Sequence, residues 1–120
     1  MGLGGRKALK PGARMKRPFP GRARLREMIE EAIVDAYGEP EQIGGFYTAI
    51  EEHLAVPFET TLLGVRVSVR GVDLTERDEI VAVCSRGRHR QAIPILDLPL
   101  PCPAPDGAEW IEAYRLWAGG

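Results

Sequence analysis

The chain has 120 residues, of which 44% are hydrophobic and 28% charged. That is enough for one packed domain with a core, and the balance excludes a disordered or fibrous chain. No apolar run approaches the ~20 residues that span a bilayer, and the start lacks the apolar centre of a secretory signal, so a cytoplasmic protein with no membrane partner is expected.

The formal net charge of -1 hides a division along the chain. Residues 1 to 26 hold nine Lys or Arg and no acid, so residues 27 to 120 set 7 basic against 17 acidic residues, about -10. Residues 1–21, rich in Gly and Pro and without apolar period, read as a basic disordered arm on an acidic single domain, residues 22–120. Met15 and Met28 also leave a later start open.

In chain order, Leu25, Met28, Ile29, Ala32, Ile33, Ala36 and Tyr37 recur at three and four residue steps, which predicts a helix from Gly21 to Tyr37. Gly38 is expected to supply the left-handed stop. Ile43, Phe46, Tyr47, Ile50 and Leu54 predict a second helix from Pro40 to Leu54, with Gly44 and Gly45 allowing another backbone to come close. A short acid-bearing corner joins the two.

From Glu59 the period changes to two. Val65, Val67 and Val69 alternate with Arg66, Ser68 and Arg70 as in a half-buried strand, and Ile80–Cys84 and Ala92–Leu96 predict two more. Residues 73–79 form an acidic loop, and Ser85-Arg86-Gly87-Arg88 has the length and glycine of a hairpin connection. Residues 99–105 read as a proline-rich linker. Asp106 with Glu109 gives a capping-box signature before a terminal helix that carries Trp110, Tyr114 and Trp117. The expected fold class is α+β: two N-terminal helices, a small antiparallel (SH3-like) curled sheet and a short C-terminal helix.

From Glu27 to Glu59 there are nine carboxylates and no Lys or Arg. Crowded like charges repel, and a bound cation relieves that repulsion; a solvated helix face accounts for the same composition. Calcium takes oxygen ligands from carboxylates, carbonyls and water at bends in the chain, so the acidic corners are the places to look. Asp35, Glu39 and Glu41 cluster at the first corner. Glu51 and Glu52 lie near the end of the second helix, and Asp73, Glu76, Asp78 and Glu79 crowd the later loop. That loop is no EF-hand, because Arg77 would stand at the fifth position and Asp78 in the glycine place.

The order of short segments resembles the CcbP family of small bacterial calcium-binding proteins. Ile33-Val34-Asp35-Ala36-Tyr37-Gly38-Glu39-Pro40-Glu41 is similar to its helix end and acidic turn, followed by Gly45-Phe46-Tyr47 and Val56-Pro57-Phe58. Ala92-Ile93-Pro94-Ile95-Leu96-Asp97-Leu98 is similar to its valine-proline-leucine strand, and Trp110 to Trp117 to its aromatic end. The resemblance covers residues 25 to 117. It implies Ca2+ binding by surface carboxylates, assigned here to Asp35, Glu39 and Glu41 and, at a second place, to Asp78 and Glu79, with a role in buffering or signalling calcium. The chain departs from the family in lacking its usual cysteine in the later loop, and in having Gly38 where another acid often stands.

The competing reading is a non-enzymatic interaction module. In it Arg14, Lys16 and Arg17 of the arm and Arg86, Arg88 and Arg90 of the hairpin would meet phosphates or a protein partner. Base stacking needs exposed aromatics beside the positive charge, and only Phe19 offers one, so nucleic acid is not the expected partner. Cys84 and Cys102 lack the spacing of a zinc site, and a disulfide framework is not expected. Cys84 with His89 or His53 is the sole nucleophile and base pairing in reach, and no catalytic activity is expected.

Overall fold

The structure is a computed structural model that describes residues 19–119; Arg14, Lys16 and Arg17 lie outside them. Among the described residues two helices come first, α1 (Arg22–Ile33) and α2 (Glu39–His53). Four strands follow: β1 (Phe58–Leu62), β2 (Val65–Leu74), β3 (Ile80–Arg86) and β4 (His89–Pro94). A 3-10 turn at Ile95–Asp97 and a last helix, α3 (Glu109–Trp117), complete the chain. The strands form one antiparallel meander in the order β1-β2-β3-β4. The expected α+β arrangement of helices, small antiparallel sheet and terminal helix is what forms.

Alternation decides the sheet's inner face. Phe58 and Thr60 of β1, Val67 and Val69 of β2, and Ile80, Ala82 and Cys84 of β3 are buried. Val69 pairs with Cys84, and the register shifts between Val69 and Gly71, so a bulge at Arg70 bends the sheet. α2 is the helix that meets the sheet, through β2, while α1 packs on α2 and α3. Phe46 and Ile50 of α2 are fully buried in the shared core, worth about 1.5–3 kcal/mol each in area removed from water.

Three close contacts fix how the helices sit. A Cβ on Gly45 would run into the Ala32 carbonyl, so the glycine lets α2 cross α1 backbone to backbone. Gly107, at φ 88, lies against the His53 carbonyl in the same way. The α3 aromatics close over α2: Phe46 lies 5.3 Å from Tyr114 and 5.1 Å from Trp117 between ring centroids, and Trp110 stacks on His53 at 5.2 Å.

The local expectations need five corrections. α1 stops at Ile33, not Tyr37, because the chain leaves the helix at Val34 and Asp35 takes the left-handed conformation, φ 64. Gly38, expected to end α1, instead caps the start of α2 at φ 142. The last strand runs from His89 to Pro94 and gives way to the 3-10 turn, while Phe58–Leu62 is a strand of its own. The capping box does not form: Ala108 is the N-cap of α3, no side chain caps it, and one Glu109 carboxylate oxygen is buried without a hydrogen-bond partner. The proline-rich segment is no free linker either. Thr60 donates a hydrogen bond to the Pro99 carbonyl at 2.7 Å, and Pro105 is fully buried.

Candidate calcium site

The corner between α1 and α2 spans Val34 to Gly38. Ala36 N–H bonds back to the Ile33 carbonyl at 3.0 Å, and Tyr37 N–H donates to Glu41 Oε1 at 2.8 Å. The second bond matters because it ties one carboxylate of α2's first turn across the corner. Glu39 and Glu41 both stand in that first turn, where the helix dipole favours negative charge. Asp35, Glu39 and Glu41 are all exposed.

The later loop is tighter. Thr75 Oγ1 accepts the N–H groups of Arg77 and Glu79 at 3.2 and 3.1 Å, and Thr75 N–H donates to the Glu79 carbonyl at 2.9 Å. Asp78 holds a left-handed conformation, φ 61, and Asp73 Oδ1 accepts the Leu74 N–H at 2.8 Å.

These two acidic places, about forty residues apart in sequence, act on one phenol. Burial first, then the carboxylates of Glu39 and Glu79, push Tyr114 above its ordinary 10.0. Tyr47 behaves alike, raised first by burial and then by Glu51 and Asp73. The first turn of α2 and the β2–β3 loop therefore share a flank of the molecule, a relation that neither segment's sequence displays.

The acid is not all free to bind. Arg24 reaches Glu27 at 3.2 Å and Glu31 at 3.3 Å, and Arg66 holds Glu59 at 2.7 Å. At least three of the nine carboxylates between Glu27 and Glu59 thus have a basic partner from outside that segment. Among the described residues no three carboxylate, imidazole or thiol side chains are gathered closely enough to form a ready metal cage. The donors at the corner nevertheless suit a hard cation, being carboxylate and carbonyl oxygens with no sulfur or imidazole among them.

Elsewhere, Arg86, Arg88 and Arg90 are exposed about the β3–β4 turn. Cys84 is buried on the inner face, and burial pushes its thiol up from 9.0, away from the thiolate that a nucleophile needs. His53 is stacked on Trp110. No helix among the described residues is long and apolar enough to cross a membrane.

A small α+β domain with hard oxygen donors at an interhelical corner belongs with proteins that bind ions, and comparison with known proteins names the group. Residues 26–118 match the model of the CcbP family, described as calcium binding, and the chain belongs to that family. Ca2+ is the ion the family binds. A crystal structure of Anabaena CcbP covers 88% of this chain and 94% of its own at a TM-score of 0.61 and 19% identity, and so shares the fold. No curated protein sequence matches this chain.

Proposed function

We propose that this chain is a cytoplasmic calcium buffer, with residues 22–120 as its binding domain, residues 1–21 as an appended arm, and no catalytic step. The ion is held at the α1–α2 corner by Asp35, Glu39 and Glu41, and Asp78 and Glu79 on the same flank contribute the weaker second place. The observation that carries this reading is the exposed carboxylates of Asp35, Glu39 and Glu41 about one interhelical corner, in a chain of a calcium-binding family. Asp35 and Glu41 lie on either side of the turn that Tyr37 N–H and Glu41 fasten.

Because no three carboxylate, imidazole or thiol side chains among the described residues are gathered beforehand, the ion must draw the carboxylates in and keep several waters. Binding in the range of about 10⁻⁵ to 10⁻³ M follows, looser than a dedicated cage. Buffering is favoured over sensing because the donors are exposed and sit outside the core, so occupancy has no packed element to switch.

Calorimetry on the full chain and on the Asp35→Asn, Glu41→Gln double variant tests the assignment. The wild type should bind calcium in preference to magnesium, and the double variant should lose most of that heat. An unchanged isotherm in the double variant defeats the site. Wide backbone NMR shifts across the sheet on calcium addition would turn the reading from buffer to sensor.

A further inference from the structure

The two hairpin turns, β1–β2 at Leu63-Gly64 and β3–β4 at Gly87-Arg88, lie at the same end of the meander. A groove of about 280 Å³ opens there, and all four strands contribute to its walls, among them Leu62, Val65, Val67, Cys84 and Gln91. Leu63 is 95% exposed at its mouth and Val65 is 37% exposed. Arg86 and His89 complete the lining.

β4 is an outer strand of the sheet, paired with β3 alone. Among the described residues no backbone hydrogen bond reaches it from its other side. At the opposite edge, β1 is also paired on one side only, but the Thr60 hydroxyl donates to the Pro99 carbonyl and residues 99–101 lie beside that strand. From Ile80 to Leu96 the chain has three arginines, Arg86, Arg88 and Arg90, with His89 among them and no acid at all.

We infer that the β4 edge and the groove beside it form a docking site for an extended acidic segment of a partner protein. The segment adds to β4 as a fifth strand, which satisfies the open row of backbone groups. Side chains alternate along a strand, and the register divides β4 accordingly. His89 and Gln91 pair with Arg86 and Cys84 on the groove side, whereas Arg90 and Ala92 pair with Ser85 and Val83 on the other. Apolar side chains of the segment enter the groove against Val65 and Val67, and carboxylates face Arg88 and Arg90.

Charge decides the occupant. A second copy paired through β4 would set Arg88, His89 and Arg90 against their like, which is repulsive. A nucleic acid would use the arginines and leave the apolar groove unfilled, and no Phe, Tyr or Trp lines the groove to stack on its bases.

The test is an NMR titration of the full-length 15N-labelled chain, in chelator, with a synthetic ten-residue peptide alternating Glu and Val. Shifts confined to residues 62–67 and 84–93 are expected, with affinity falling roughly tenfold in an Arg88→Glu, Arg90→Glu variant and no binding of a Lys and Val counterpart. Equal binding of the Lys peptide, or shifts confined to residues 1–18, overturns the site. So does peptide-independent binding of phosphatidylglycerol vesicles through residues 62–67 and 84–93, which would make the surface a lipid contact. Because chelator removes calcium throughout, this inference stands or falls apart from the ion site.

Discussion

Replacing Gly45 with alanine should expose how tightly the acidic corner depends on the crossing of α1 and α2. In an isolated helix the change gains about 1 kcal/mol. At this position the new Cβ meets the Ala32 carbonyl, a backbone atom that cannot rotate away, so the helices must part. Overpacking of that kind costs about 1–3 kcal/mol and more against backbone, leaving a net loss of about 2 kcal/mol. Gly44 provides the control, since nothing lies within 4 Å of a Cβ placed there. Gly44→Ala should therefore stabilise by up to about 1 kcal/mol. The two neighbours then differ by about 3 kcal/mol, on the order of 10–20 °C in Tm for a domain of this size. Urea or thermal unfolding followed by circular dichroism measures the difference. Calcium affinity should fall with Gly45→Ala and hold with Gly44→Ala. Two variants that shift stability in the same direction would refute the close crossing and the dependence of the corner on it.

Asp35→Gly relieves a left-handed residue, φ 64, and should raise stability by up to about 1 kcal/mol while weakening calcium binding, two effects that denaturation and calorimetry read separately. Of the two thiols, Cys102 is exposed and Cys84 buried, so a thiol reagent at pH 8 should label one cysteine rapidly and the second only on unfolding; equal rates would contradict the packing of β3. Tyr114 is raised by burial first and by Glu39 and Glu79 after it, so calcium bound on that flank should lower its titration towards 10.0, seen as phenolate absorbance with and without chelator. The same upward shifts at Cys84, Tyr47 and Tyr114 should weaken the fold in alkali, read as a falling Tm above about pH 9. Each favours the protonated form in the fold, so its contribution is complete below the ordinary value, 9.0 for the thiol and 10.0 for the phenols, and is lost as pH rises through the folded value.

Much of the architecture was legible because it rests on periodicity. The three-and-four spacing of Met28, Phe46 and Ile50 and the alternation of Val67 and Val69 mark the faces that become buried. What escaped was set by neighbours in space. The end of α1 depends on Asp35 turning left-handed, which its type permits without announcing, and Gly38 looked like a stop for one helix while serving as the start of the next. Ala108 displaced Asp106 as the cap of α3 because the chain there is held by Ala55 N–H on the Asp106 carbonyl and by Gly107 against His53. For the ion site, residue types at the corner could be read directly. Their relation to the β2–β3 loop could not, since Glu39 and Glu79 are linked only in that both act on Tyr114, on a third element.

The placing of the two indoles gives the protein a built-in optical readout. Trp117 rests on Phe46 in the middle of α2, and Trp110 on His53 at its end. Emission from the pair thus samples two points along the helix whose first turn carries Glu39 and Glu41, and single Trp→Phe replacements would resolve whether a disturbance at that turn travels the length of the rod or dies within its first half.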